Sequence, residues 1–122
     1  MEHKKKILIV EDEYITAIAM KAGLESVGFD IVGIASSGED AISMAAEAQP
    51  DAVLMDVNIQ GNIGGIGAAR EIRNRLDIPS AFLTGFPDKK AESDARELRP
   101  IGFFIKPVEC SVLKNIIDAY FD

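Results

Sequence analysis

Asp51-Ala-Val-Leu-Met-Asp-Val-Asn58 is the stretch whose reading decides the fold. An apolar run, Ala52 to Met55, ends on a lone carboxylate, Asp56. A short apolar run bounded by turn signals reads as a buried strand. In an open α/β sheet, ligands and chemistry collect just beyond the carboxyl ends of the strands. Asp56 therefore stands where such a sheet puts a reactive group.

Working outward, the same pattern recurs on both sides. Ile7-Leu-Ile-Val10 is a short β-branched run that stops at Glu11, Asp12 and Glu13. A helical pattern follows, with Ile15, Ile18, Ala19 and Ala22 on one face, Met20, Leu24 and Val27 extending the apolar stripe, and Gly28 as C-terminal cap. Phe29 to Ala35 reads as a strand, and Ser36 or Ser37 caps an alanine-rich helix that ends before Pro50. Beyond Asp56 comes the loop Ile59-Gln-Gly-Asn-Ile-Gly-Gly65, then a helix carrying Ile66, Ala69, Ile72 and Leu76 that stops before Pro79. Pro79 to Thr84 is a fourth strand. Gly85-Phe-Pro87 breaks the chain, and Asp88 caps a charged helix reaching about Leu98. That helix has a thin apolar stripe, Ala91, Ala95 and Leu98, so it should be loosely held. Gly102 to Ile105 is a fifth strand leading into Lys106-Pro107, and a last helix shows Leu113, Ile116, Ile117 and Tyr120 on one face. Alternating β-then-α units imply a parallel sheet covered on both faces. Five units are too few for an eight-unit barrel, which leaves a flavodoxin-like open sheet.

The whole chain sets bounds consistent with this. Its 122 residues suffice for one domain, and 48% apolar with 27% charged is ordinary for a globular chain. A net charge of -7 argues against direct nucleic-acid binding, which needs a basic surface. No apolar stretch approaches a membrane span, and the basic start is followed by too short an apolar run for a signal peptide. The single cysteine, Cys110, excludes an internal disulfide and fits a reducing, cytoplasmic setting.

Four strand ends carry groups of chemical use: Glu11 and Asp12, Asp56, Thr84, and Lys106. In a parallel sheet these ends share one edge. Converging carboxylates repel one another unless neutralised, and Mg²⁺ suits one or two direct carboxylates plus waters. Asp56 can then act as a nucleophile towards phosphorus, since carboxylates form acyl phosphates. The cation stabilises charge during transfer. Lys106 supplies a point charge to a phosphoryl oxygen and Thr84 a hydrogen bond to another.

In these residues the chain resembles the receiver domain of two-component response regulators, over nearly its whole length. The resemblance rests on Ile-Leu-Ile-Val-Glu-Asp-Glu (7–13), Val-Leu-Met-Asp-Val (53–57), Leu-Thr-Gly (83–85) and Phe-Phe-Ile-Lys-Pro (103–107), in this order and spacing. It implies one receiver domain over 1–122, similar to the chemotaxis-type single-domain regulators, with strand order 2-1-3-4-5. It implies that Asp56 accepts a phosphoryl group from a histidine kinase or phosphotransfer protein. Glu11, Asp12, Asp56 and the backbone carbonyl of Asn58 would hold Mg²⁺. Thr84 and Lys106 would report the phosphoryl group, with Phe103 as the switch aromatic. A downstream effector or output domain would read the result, with a homodimer through the 88–98, 102–105 and 109–121 face as a further expectation. The sequence departs from the family in two places. The loop from Asn58 to Gly65 is longer, lacks the usual proline, and has Gly64 where an Asp is common. Phe103 has no hydroxyl, so any switching there is by packing.

Plainer readings stand beside each of these. Glu11 and Asp12 could merely favour a helix dipole. A lone Asp at a strand end is commonly a turn residue. The glycines from Gly61 to Gly67 suggest a phosphate cradle, but no Gly-Lys-Ser/Thr follows, so a flexible loop is the expectation. His3 reads as a solvated terminal residue, Cys110 as inert, and at least one of Phe103 and Phe104 as core. Two rival functions remain: a small phosphohydrolase using Asp56 as a transient nucleophile, and a degenerate receiver that only binds partners. No turnover of an external substrate is expected. Whether the chain is a stand-alone regulator or a piece of a longer protein is left open.

Overall fold

The computed structural model describes residues 4–122, so His3 lies outside the described residues. Five strands form one parallel sheet: β1 (Lys6–Val10), β2 (Asp30–Ala35), β3 (Ala52–Asp56), β4 (Ser80–Thr84) and β5 (Gly102–Ile105), in the spatial order β2-β1-β3-β4-β5. The helices between and after them are α1 (Tyr14–Ser26), α2 (Gly38–Ala48), α3 (Gly64–Leu76), α4 (Lys89–Arg96) and α5 (Cys110–Phe121). This is the flavodoxin-like sheet the sequence implies.

β1, β3 and β4 alternate between two cores, as a period of two requires, whereas β2 carries an irregularity opposite Ile7 and Leu8 that puts Ile31 and Ile34 in the same core. Leu8, Val10, Val53, Met55 and Phe82 face α2 and α3 and pack with Ala41, Ala45, Ala68, Ala69 and Ile72. Ile7, Ile9, Leu54, Ala81 and Leu83 face the other way and pack with Leu24, Leu113 and Ile117 of α1 and α5. Both faces of β3 and β4 are covered, which is why these strands read as continuous apolar runs. Phe103 joins the first core and Phe104 the second, and both are partly buried.

Local signals account for the helix ends. Ser37, rather than Ser36, caps α2 by accepting from the Asp40 amide at 3.1 Å. Asp88 caps α4 by accepting from the Ala91 amide at 3.0 Å. Gly28 follows the α1 cap at φ 104. Ala91, Ala95 and Leu98 are all buried, as the thin stripe of α4 suggested.

One face is reversed. Ile15, Ile18, Ala19 and Ala22 do not face the sheet: Ile15 is 84% exposed, Ile18 41%, and both alanines are exposed. The buried stripe of α1 is Ala17 and Leu24, with Met20 and Val27 packed beside them. Both stripes of this helix are apolar, so spacing alone selects neither. In α5, Leu113 and Ile117 are buried as expected, but Tyr120 stays 39% exposed at the end of the stripe.

The loop between β3 and α3 is held by packing at Ile59, while residues 60–63 are exposed. Ile59 is buried in the first core, and Gly61 and Gly64 take positive φ values of 120 and 64, which side-chain-bearing residues adopt only under strain. Gly65 matters for a different reason. A Cβ there would press on the carbonyl oxygen of Asp56 and lie 2.9 Å from the Val57 Cα, both backbone atoms that cannot swing aside. Gly65→Ala is expected to destabilise the fold by about 1–3 kcal/mol through overpacking. Urea denaturation checks this, and an unchanged midpoint would contradict it.

Candidate functional site

The carboxyl ends of β1, β3, β4 and β5 bring Glu11, Asp12, Asp56, Thr84 and Lys106 to one edge of the sheet. Glu11 and Asp56 are buried at 4% and 6% exposure, Thr84 is wholly buried, and Asp12 and Lys106 are half-buried. Glu11, Asp12 and Asp56 each offer an oxygen within 4.8 Å of the others. The plainer reading of the two acids, as charges at a helix N-terminus that favour the dipole, places them just before the N-cap Glu13. α1 begins at Tyr14 with no acid in its first turn. Glu11 turns back to accept from the Glu13 amide at 3.1 Å.

The Lys106 ammonium lies between the two buried acids, 3.1 Å from Glu11 Oε1 and 3.3 Å from Asp56 Oδ2. Burial raises the Glu11 carboxyl above its ordinary range, and the charge of Asp56 adds to this; the Glu13 amide and Lys106 partly offset it. For Lys106, burial alone would lower the ammonium, but the hydrogen bond to Glu11 and the charges of Asp56 and Glu11 outweigh it and raise it. The site is thus a pocket of concentrated negative charge held by one resident cation. Its donors are all hard oxygens, which is the chemistry Mg²⁺ takes.

Asp56 is held from its own loop as well. The Asn58 amide donates to Asp56 Oδ1 at 2.9 Å, folding the chain back over the carboxylate. The Asn58 carboxamide donates to Thr84 Oγ1 at 3.4 Å, and the Thr84 hydroxyl donates to the Phe86 carbonyl at 3.1 Å. The Gln60 amide donates to Asp12 Oδ2 at 3.3 Å. Sequence reasoning names Asn58 for its carbonyl and misses its side chain, which bridges the acidic loop to the hydroxyl on β4. The unusual loop therefore holds two of the site's acids through backbone amides. Cys110 lies outside this cluster, and burial pushes its thiol up, which fits an inert role.

The match extends beyond the site residues. Residues 7–118 match the model of the response regulator receiver domain. The chain belongs to the response regulator receiver family. PdtaR, a transcriptional regulatory protein of Mycobacterium tuberculosis, is 33% identical over 114 residues, covering 93% of this chain and 55% of that protein. PhyR, the phyllosphere-induced regulator of Methylorubrum extorquens, is 26% identical over 92% of this chain and 42% of its own length. This receiver chain thus spans about half the length of the curated relatives it matches. Among solved structures, the signal receiver domain of a modulated diguanylate cyclase from Desulfovibrio desulfuricans superposes with a TM-score of 0.89 at 30% identity, covering 96% of this chain and 93% of that one. A LuxR-family response regulator from Aurantimonas superposes with a TM-score of 0.86 at 26% identity, covering 97% and 85%. Among the described residues, no helix of the receiver is long and apolar enough to cross a membrane.

Proposed function

We propose that this receiver is a phosphorylation-controlled switch in which Asp56 is the phosphoacceptor. The observation that carries the reading is the buried Asp56 carboxylate, sharing the Lys106 ammonium with a second buried acid at the carboxyl edge of the sheet. A histidine kinase or phosphotransfer protein is the donor. An Asp56 oxygen forms the bond to phosphorus as the bond from phosphorus to the donor breaks, and the donor leaves with that electron pair. No general base is needed, because the attacking group is already an anion. Mg²⁺, held by Glu11, Asp12, Asp56 and the Asn58 carbonyl, would neutralise the acids and stabilise charge on the phosphoryl oxygens. Lys106 is freed from its two carboxylates to bind one phosphoryl oxygen. Thr84 exchanges its bond to the Phe86 carbonyl for a bond to another.

The response follows from that exchange. Turning Thr84 inward releases the 85–88 segment, and α4 and β5 then favour a partner-binding arrangement. The shift can be no larger than the difference in phosphoryl contacts between the two arrangements. Phe86, Ile105 and Tyr120 are exposed on this side, which suits an effector, an output domain or a second copy using the 88–98, 102–105 and 109–121 face. The setting is the cytoplasm, and neither nucleic acid nor membrane is contacted directly. Phe86 is 56% exposed beside Thr84. Its ring shields the acyl phosphate, so Phe86→Ala should lose phosphate several-fold faster. A loss rate in the variant equal to or slower than that of the parent chain would remove that role.

The reading as a whole is tested by incubation with acetyl phosphate and Mg²⁺, followed by intact mass. One phosphoryl adduct per chain is expected, and none when the metal is chelated. Catalytic turnover of a simple phosphate ester, with no adduct detectable, would favour a phosphohydrolase instead.

A further inference from the structure

Arg73 on α3 stands outside the acidic cluster, yet among the described residues it has more polar partners than Lys106. Its side chain is 10% exposed. Nε donates to the Leu98 carbonyl at 3.1 Å, and Nη2 donates to the Arg99 carbonyl at 3.3 Å and to the Tyr120 hydroxyl at 3.2 Å. Nη1 lies 3.3 Å from the Asp77 carboxylate. The Tyr120 hydroxyl in turn donates to the same Arg99 carbonyl at 3.3 Å. One guanidinium thus joins the end of α3, the turn from α4 into β5, and the last turn of α5. The carbonyls it takes lie in the turn just past the C-terminus of α4. A planar fork can address two successive carbonyls, which a lysine ammonium cannot do in the same geometry.

The turn it holds is strained. Arg99 stands at φ 51, in the left-handed region that a side-chain-bearing residue occupies at a cost. Such a conformation persists where neighbours hold it in place, and two donors on the Arg99 carbonyl do so.

Among the described residues, no side chain from another element hydrogen-bonds the N-terminal end of α4. Asp88 caps the helix from within its own segment. The ion pairs Lys90–Asp94 and Glu92–Arg96 are internal to the helix, while the small buried side chain of Ala91 holds its first turn by packing. Gly85, Phe86 and Pro87, which lead in from Thr84, are exposed. Phe103 brings no hydroxyl to β5, and the hydroxyl that reaches the α4–β5 turn comes from Tyr120.

We infer that Arg73, with Tyr120, is the positioning residue of the response: it pins the C-terminal end of α4, so that the helix pivots about Leu98–Arg99 and its N-terminal end is the part that moves. The anchor is independent of phosphorylation, and only the force that turns the helix rests on the proposed function.

Amide hydrogen exchange on the full chain tests this, comparing the parent with Arg73→Met, Arg73→Lys and Tyr120→Phe. In the parent, the Leu98, Arg99 and Ile101 amides should exchange more slowly than those of Ala91 and Glu92, and along 85–99 acetyl phosphate with Mg²⁺ should alter exchange only in 85–92. Arg73→Met should speed exchange at Leu98, Arg99 and Ile101 by about tenfold or more, the scale of one lost hydrogen bond to a charged group. The phosphorylation-dependent change should then spread along the whole helix. Arg73→Lys should fail to restore protection. Tyr120→Phe alters a partly exposed side chain and keeps its ring, so it retains the test if Arg73→Met does not fold. It should speed exchange at the same amides by roughly fivefold. Equal exchange at both ends of α4 in the parent, or no change at Leu98 to Ile101 in either Arg73→Met or Tyr120→Phe, would overturn the inference. If no adduct forms in any chain, the proposed function fails, while the exchange gradient in the unmodified chains still decides on the anchor.

Discussion

Asp56→Asn is expected to abolish covalent phosphorylation, lowering adduct formation from acetyl phosphate by at least about 10³-fold, the scale that follows removal of a covalent nucleophile. The substitution keeps the shape of the side chain and its acceptor for the Asn58 amide, so the fold should survive. It also removes one of two acids buried side by side. Stability should therefore hold or rise, the opposite of what a damaged core would give. Intact mass after timed incubation measures the first effect and urea denaturation the second. An adduct that persists at the parent rate in Asp56→Asn would place the chemistry on another residue. A collapse of stability would show that Asp56 serves mainly as a structural turn.

Lys106→Met should produce the second large effect, and it divides into two parts. The ammonium is what Glu11 and Asp56 share at 3.1 and 3.3 Å, and without it two buried carboxylates face each other. The loss should be about 1–3 kcal/mol at neutral pH, below the full cost of orphaning a buried charge because Lys106 is 29% exposed. Adduct formation should slow by about 10²-fold, comparable with loss of one preorganised contact to developing charge. The adduct that does form should give a smaller change of hydrogen exchange in α4, because one of the two contacts that report the phosphoryl group is missing. Stopped time courses by mass, followed by exchange on the adducted fraction, separate the two parts. Normal α4 exchange changes in Lys106→Met would assign the reporting role elsewhere.

The sheet was legible in the sequence because both faces of β1, β3 and β4 are buried, which forces near-continuous apolar runs between turn signals. The candidate site was legible for a related reason. Parallel strands end on one edge, so polar residues that terminate apolar runs are brought together by topology alone. The face of α1 was not legible, since Ile15 and Ile18 offer an apolar stripe as good as that of Ala17, Met20 and Leu24. Only the packing of α1 against the sheet and α5 selects between them. The side chain of Asn58 and the anchoring role of Arg73 escaped for a different reason. The Asn58 bond to Thr84 spans 26 positions, and the Arg73 bonds span 25, 26 and 47. No local pattern encodes contacts of that range; they exist only once the helices have packed.

The loop from Asn58 to Gly65 shows how a sequence departure acquires physical content. Its glycines suggested flexibility, yet Ile59 is buried, Gly65 must be small to let α3 approach β3, and the Asn58 and Gln60 amides hold Asp56 and Asp12. The loop takes part in shaping the acidic edge.

The central claim is that the phosphoryl group resides on Asp56. Borohydride reduction of the phosphorylated chain, followed by peptide mapping, tests it most directly, because an acyl phosphate is reduced to an alcohol at the residue that carried it. The account predicts homoserine at position 56, formed only after incubation with both acetyl phosphate and Mg²⁺. Reduction at another carboxylate, or a phosphoryl group that resists borohydride and maps to His3, would contradict it.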